Sequence, residues 1–195
     1  MTSIIHALKE WAIATEALEQ GKTIMLLRKG GIKESFGKFH VPHSRILLYP
    51  TYEHQQPALL KPNYQNRVTP VASGWHPLQV TISSWAEITN VLPVSEENIV
   101  KALLPFHIWN EQFIAERLKW KPRQPIYILL LRTYKLSAPQ AINYLPQYGG
   151  CTSWIDLASA IDINNTQPVF PEDTYQQLTA EILQIVDNNL TFAAK

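Results

Sequence analysis

Apolar runs predict four strands, at residues 23–28, 45–49, 78–83 and 126–134. The third alternates, with Leu78, Val80 and Ile82 on one face and polar residues between them, which is typical of a half-buried strand. The run at 126–134 is apolar without alternation. We therefore expect neighbours on both of its faces and a position inside the sheet.

Helical spacing predicts the remaining elements. A first helix is expected over residues 4–18, with Gly21 as a left-handed C-cap. Further helices are expected to end at Leu104, to cover residues 108–119, and to close the chain at about residues 171–189. Residues 55–74 read as a long loop with one helical turn near Ala58, and residues 137–170 as irregular.

This order of elements indicates the fold class. Strands and helices interleave irregularly, which favours α+β: a mixed or barrel-like β-sheet core with flanking helices at both chain ends. The chain has 195 residues and no visible linker or repeat, so we expect a single domain over residues 1–195.

Composition adds bounds on location and partners. The chain is 46% hydrophobic and 17% charged, as in well-cored globular proteins, and its net charge is only +1. A basic site for nucleic acid must therefore be local. A single cysteine, no apolar run of about 20 residues and no signal-like N-terminus predict a cytoplasmic protein with no membrane partner. The oligomeric state is not predicted.

The stretch LLYPTYEHQQP, residues 47–57, crowds polar and aromatic groups where a strand ends. Side chains at such a strand end can converge with neighbouring loops, so we predict a pocket there. The expected members of this group are Tyr49, Thr51, Tyr52, Glu53 and His54, with Arg28 and Arg132 as candidates to share it. The alternative is that Tyr52 and His54 cap the sheet through structural hydrogen bonds.

Basic residues with interleaved rings form a second candidate site. The nucleic-acid-binding set is Lys22, Arg28, Lys29, Lys33, Lys38, Tyr52 and Arg132. Such residues can grip phosphates while a ring, such as Phe36, Tyr52 or Trp75, stacks on a base. The alternative is a solvated hairpin. The GKT at residues 21–23 lacks the preceding glycine and the following helix of a phosphate loop.

A catalytic alternative uses His54 or His43 as base, with Glu53 or Cys151 as partner. A lone cysteine is more often a small buried residue, however. His40, His43 and His54 have spacings found in metal sites, but a fourth ligand is missing from the pattern. We predict no cofactor and no metal site.

Several stretches together resemble a known family. LKEWAIATEALEQGKTIMLLRKGGI, LLYPTYEHQ, FHIWNEQFIAERLKWKPRQPIYILLLRTYKL and YGGCTSWIDL resemble the domain of unknown function 1802, common in cyanobacteria, over about residues 8–157. The family has no established activity, and its fusion to restriction-endonuclease-like domains suggests a link to restriction-type systems. The resemblance implies that the PTYEH stretch and the turn at Tyr148 are family features, which adds Tyr148 to the expected pocket.

A weaker resemblance concerns the fold. A helix, then GKT, then a strand ending in Arg28 is similar to the start of ASCH and PUA-like domains, although the acidic residue often found in that strand is missing. This resemblance implies a PUA-like sheet. We predict a nucleic-acid-binding or DNA/RNA-handling module. The alternatives are a small hydrolase acting on a modified base or small molecule through His54 and Glu53, and a protein-interaction domain.

Overall fold

The computed structural model describes residues 2–29 and 40–193, with side chains to residue 188. The strands are β1 (Ser3–Trp11), β2 (Met25–Arg28), β3 (Arg45–Thr51), β4 (Gln79–Val94), β5 (Ile126–Asn143), β6 (Trp154–Asp162) and β7 (Gln167–Pro168). The helices are α1 (Ala12–Glu19), α2 (Pro62–Gln65), α3 (Glu97–Ala102), α4 (Glu111–Lys119) and α5 (Glu172–Ala193). None of the described helices is long and apolar enough to cross a membrane.

The strands form one seven-stranded mixed sheet in the order β2-β5-β4-β3-β1-β6, with β7 also paired to β5. The pair β1 and β3 is parallel, and the other pairs are antiparallel. The two ends of this order, β2 and β6, are not paired to each other, so the sheet is open and not closed into a barrel. The predicted α+β class with a mixed sheet is therefore confirmed.

Strand β5 occupies the interior position that its sequence predicts. It pairs with β4 along nearly its whole length and with β2 and then β7 on its other side. Four consecutive residues, Ile128 to Leu131, are completely buried. Both faces of the strand are covered, as a non-alternating apolar run requires.

The predicted helix over residues 4–18 is found only from Ala12 onward. Residues 3–11 form strand β1, which is parallel to β3 and antiparallel to β6. Ala7 and Leu8 are both buried, but they face different hydrophobic clusters on the two sides of the sheet. Because apolar side chains lie on both faces of this strand, they do not alternate along the sequence, and their positions can be mistaken for a helical stripe. Gly21 ends α1 with a φ of 65°, as predicted.

Residues 137–170 are more regular than predicted. Strand β5 continues to Asn143, and β6 is an edge strand paired with β1 from Ser3 to Leu8. The end of β5 contains a proline and mostly exposed residues, so it lacks the apolar pattern of a strand. Strand β6 has only four apolar positions that are buried or partly buried, so its pattern is also weak. The predicted long loop contains α2 and a 3₁₀ turn at Pro57–Leu59, close to the expected turn at Ala58.

Candidate functional site

The parallel pairing of β1 and β3 brings their carboxyl ends to the same edge of the sheet. Lys9 pairs with Tyr49 and Glu10 with Pro50 in this ladder. Because successive side chains point to opposite faces, Lys9 faces one side of the sheet and Glu10 the other. Two cavities flank this edge, and both are lined by Lys9 and Thr51.

The first cavity, which we call the aromatic pocket, has a volume of about 100 Å³. Its lining includes Lys9, Tyr49, Thr51, Tyr52, Glu53, Trp75, His76, Tyr144, Tyr148, Gly149 and Gly150. Three ring contacts shape its wall: Tyr52 meets Trp75 edge-on at 5.9 Å, Tyr49 meets Tyr148 edge-on at 5.9 Å, and His76 stacks on Tyr144 at 3.4 Å. The exposed rings of Tyr52 and Trp75 form its outer part.

Glu53 ties the loop that carries Trp75 to the end of β3. Its Oε1 accepts hydrogen bonds from the backbone N–H of Gly74 at 2.6 Å and from the Ser73 hydroxyl at 3.1 Å. Its Oε1 also lies 3.2 Å from Nε2 of His54. The Gly74 N–H is the main cause of a lowered pKa of Glu53. The carboxylate therefore positions Trp75 opposite Tyr52.

The hydroxyl of Tyr49 is the unsatisfied group of the pocket. Tyr49 is only 2% exposed, and among the residues that the structure describes its Oη has no hydrogen-bond partner. Burial raises the pKa of Tyr49 well above its usual value, so the phenol stays protonated and can donate. A buried hydroxyl without a partner loses free energy of solvation, which a bound acceptor would restore.

Lys9 lies where the two cavities meet. Its Nζ donates to the carbonyl of Gly150 at 2.8 Å. Burial lowers the pKa of Lys9, while the nearby Cys151 and Glu53 act in the opposite direction. Gly150 can offer this carbonyl because its φ is 74°, a conformation that side chains disfavour.

The second cavity, which we call the cationic cavity, measures about 190 Å³ and lies on the other face of the sheet. Its charged lining consists of Lys9, Glu10, Arg28, Lys29 and Arg117. Apart from Lys9, whose ammonium group is turned to Gly150 at the aromatic pocket, three cations face one carboxylate, which leaves a local excess of two positive charges. The guanidinium of Arg117 lies over the Phe113 ring at 4.9 Å, and burial lowers its pKa.

Besides Lys9, two of these cations form hydrogen bonds within the fold. Arg28 donates to Glu10 at 2.6 Å and to the hydroxyl of Ser153 at 2.6 Å. Lys29 donates to the carbonyl of Arg117 at 2.7 Å, at the end of α4. Burial, followed by the charge of Arg117, lowers the pKa of Lys29.

The structure brings together some of the site residues predicted from the sequence and separates others. Tyr49, Thr51, Tyr52 and Tyr148 share the aromatic pocket. Arg28 lies in the adjacent cavity, and Lys22 is exposed beside Gly21. Arg132 was expected to share the pocket but lies elsewhere, paired with Glu172 in a cavity against α5. Lys33, Lys38 and Phe36 lie outside the described residues.

The four nominated catalytic residues do not form one group. His54 is on the surface beside Glu53, at a φ of 65°. His43 stacks on His6, and burial followed by His6 lowers its pKa. Cys151 is exposed, contrary to the expectation of burial, and it follows the turn at Gly150.

Chemically, the aromatic pocket suits recognition better than proton transfer. A general base works best with a pKa near the working pH, whereas the pKa of Glu53 is lowered and its Oε1 already accepts two hydrogen bonds. Flat rings, one unsatisfied donor, one carboxylate and one ammonium group are suited to binding a planar polar ligand.

Sequence reasoning missed four of the residues that shape the two cavities: Lys9, His76, Arg117 and Tyr144. Lys9 and Arg117 each lie in a segment that the sequence predicts to be helical. A single basic residue on a predicted helix does not indicate a binding site. His76 and Tyr144 come from separate segments, and their stacking depends on the bulged pairing of β4 with β5. One signal was present: YGGCTSW carries two adjacent glycines, which often mark close backbone approach.

Comparison with known proteins identifies the family. The sequence model of the family "Domain of unknown function (DUF1802)" matches residues 7–181, most of the chain. The chain therefore belongs to this family, as its resemblance implied. A search of curated proteins found no match.

The fold is similar to crystal structures of an ASCH protein from Zymomonas mobilis and a single-substitution mutant of it. The native structure has a TM-score of 0.46 and 14% identity, and the match covers 90% of this chain and 93% of that one. The mutant has a TM-score of 0.47 and 12% identity, over 90% and 94%. At such values no residue role passes from those proteins to this one.

Proposed function

We propose that this member of the DUF1802 family binds single-stranded nucleic acid, with an unstacked base in the aromatic pocket and a neighbouring phosphate in the cationic cavity. The observation that carries the proposal is Tyr49, which lines a pocket walled by rings and whose buried hydroxyl has no partner in the described chain. Base edges are rich in hydrogen-bond acceptors, and such an acceptor would satisfy this donor.

The dimensions of the aromatic pocket favour a single base over a whole nucleotide. Its volume of about 100 Å³ is well below the roughly 300–1,000 Å³ of pockets that enclose drug-sized ligands. Tyr52 and Trp75 stand exposed at its outer part, where a ring can stack on them. A base paired within a duplex could not enter, so the ligand must present an unpaired base.

The cationic cavity supplies the electrostatic part of the site. Its excess of positive charge is local, in a chain whose net charge is only +1. Lys9 lines both cavities and so links base recognition to phosphate contact. Arg117 offers a planar fork of donors suited to phosphate oxygens.

The test is fluorescence anisotropy with labelled single- and double-stranded DNA and RNA of one sequence, at two salt concentrations. We expect single strands to bind more tightly than duplexes, with an affinity that falls as salt rises. Trp75→Ala should weaken single-strand binding about 5- to 150-fold, the equivalent of 1–3 kcal/mol of stacking. Trp75→Phe, which keeps a ring, should retain most of the affinity.

The phosphate contact has its own matched pair of variants. Arg117→Gln should weaken binding and reduce the salt slope by about one phosphate contact. Arg123→Gln, which removes an exposed arginine just beyond the same helix, should change neither. Equal effects of the two arginine variants, or unchanged binding in Trp75→Ala, would refute the proposed site. No binding of any of the four nucleic acids at low salt would refute the function.

A further inference from the structure

A cluster of metal-ligating side chains lies apart from both cavities. His6 on β1, His43 just before β3 and Asp156 on β6 place their ligand atoms within 4.8 Å of one another. A separate hollow of about 180 Å³ adjoins them, lined otherwise by Ala7, Trp154 and Ile155. Among the described residues no lysine or arginine lines this hollow, so none of them competes with a bound ion for the carboxylate.

The sheet fixes two of the three side chains. His6 and Asp156 are directly paired in the antiparallel ladder of β1 and β6. Nδ1 of His6 lies 2.7 Å from Oδ1 of Asp156. The pairing therefore holds an imidazole nitrogen and a carboxylate oxygen close enough together to contact the same ion. The third side chain comes from an irregular segment, residues 40–44, that no ladder constrains.

The two imidazoles do not point at one position as they stand. Their rings are parallel, with an interplanar angle of 7° and centroids 3.4 Å apart. An ion bound by an imidazole lies close to the plane of that ring, so two parallel rings cannot share it. His43 must therefore turn about its side-chain bonds, and its position in an irregular, partly exposed segment permits this.

We propose that His6, His43 and Asp156 bind a divalent transition-metal ion of the zinc class, with the remaining position open to water. Two imidazoles and one carboxylate match the ligand number and ligand types of open zinc sites and of other first-row metal sites. Imidazole nitrogen disfavours Mg²⁺ and Ca²⁺, which take oxygen ligands.

A bound ion would connect three parts of the fold. It would join the edge strand β6 to β1 and to the segment that leads into β3, positions that are far apart in the sequence. Because these ligands come together only in the folded chain, binding of the ion stabilises the folded state. The site is separate from the proposed nucleic-acid site, so metal binding and nucleic-acid binding can be measured independently.

Titration with Co²⁺, followed by visible absorption, and competition with Zn²⁺ test the site in the full chain. We expect one ion per chain, displaced by Zn²⁺ and not by Mg²⁺. His43→Ala and Asp156→Asn should each weaken binding at least about 100-fold, since even outer-shell changes cost 10- to 100-fold. His40→Ala is the matched control, because it removes a histidine of the same segment that lies outside the cluster.

Thermal unfolding gives a second readout. Zn²⁺ should raise the midpoint for the wild type and for His40→Ala, and should leave His43→Ala unchanged. Because His43 is partly exposed, far-ultraviolet circular dichroism should show that the variant folds. Absence of binding in the wild type, or equal affinity in the wild type and His43→Ala, would overturn the proposal. So would equal losses in His40→Ala and His43→Ala.

Discussion

The two cavities that meet at Lys9 differ in how their charged and hydroxyl groups are satisfied, although Nε1 of Trp109 in the cationic cavity also has no partner among the described residues. In the cationic cavity, Arg28 is held by Glu10 and Ser153, and Lys29 is held by the carbonyl of Arg117. In the aromatic pocket, the buried hydroxyl of Tyr49 has no partner among the described residues.

That difference distinguishes polar groups that stabilise the fold from polar groups that are available to bind a ligand. Buried polar groups are normally hydrogen-bonded, so a satisfied pair is explained by the fold alone, whereas an unsatisfied group lining a pocket calls for a ligand. Arg28 and Lys29, two of the six basic residues predicted from the sequence, therefore stabilise the fold first. The proposed phosphate contact therefore depends mainly on Arg117, whose guanidinium has no carboxylate partner among the described ion pairs.

The largest expected effect is a loss of stability when the ion pair of the cationic cavity is broken. Arg28→Ala would leave Glu10, which is 6% exposed, as a buried charge without its partner. Removing one partner of a buried ion pair typically costs about 3–5 kcal/mol, and we expect a loss of that size in urea unfolding. Arg45→Ala, at an exposed position, should cost less than about 0.5 kcal/mol. A small loss in Arg28→Ala would show that Glu10 is not dependent on it.

A gain in stability is expected when the unpaired hydroxyl of the aromatic pocket is removed. Tyr49→Phe removes a buried hydroxyl that has no partner in the described chain, so stability should rise by about 1 kcal/mol. Under the proposed function, the same variant should bind single strands about tenfold more weakly, because the base loses its donor. Stability is measured by urea unfolding and affinity by anisotropy.

Tyr148→Phe is the matched control for this change. The hydroxyl of Tyr148 accepts a hydrogen bond from the backbone N–H of Ala158 at 2.7 Å. Its removal should therefore lower stability by about 1 kcal/mol, not raise it. If both tyrosine variants lose stability equally, the hydroxyl of Tyr49 has a partner and the contrast between the cavities fails.

What the sequence could predict follows from how local each feature is. The burial of residues 126–134 and the crowding at 49–54 follow from neighbouring residues alone, because a run or a cluster is visible in one window. The sheet position of β1 was not predictable, since its apolar pattern suits a helix as well as a strand buried on both faces. Only its pairing with β3 and β6 decides between them.

The candidate site also depends on contacts between residues that are distant in the sequence, which local patterns do not predict. Lys9 and Arg117 reach one cavity because β1 and α4 converge there, a contact between residues more than a hundred positions apart. The stacking of His6 on His43 likewise depends on β1 lying next to β3. The spacing of His43 with His40 and His54 in the sequence does not reveal it.

A smaller effect is expected at the turn beside Lys9. Gly150 has a φ of 74°, and a Cβ there would meet no atom within 4 Å. Gly150→Ala should therefore cost about 1 kcal/mol through backbone strain alone. At Gly149 a Cβ would lie 2.6 Å from the hydroxyl of Tyr144, so Gly149→Ala should displace that ring and weaken single-strand binding. Equal affinities for the two variants would place Tyr144 outside the binding surface.

The smallest effect is a pH dependence at Glu53. Its pKa is lowered chiefly by the Gly74 N–H, so the carboxylate stabilises the fold above the unfolded value of about 4.5. That contribution is lost as the pH falls through the lower, folded pKa. Glu53→Gln should thus cost under about 1 kcal/mol at pH 7, and its difference from the wild type should shrink in urea unfolding below pH 4.5. A difference that stays constant from pH 7 to pH 3 would mean that the charge of Glu53 does not hold the loop that carries Trp75.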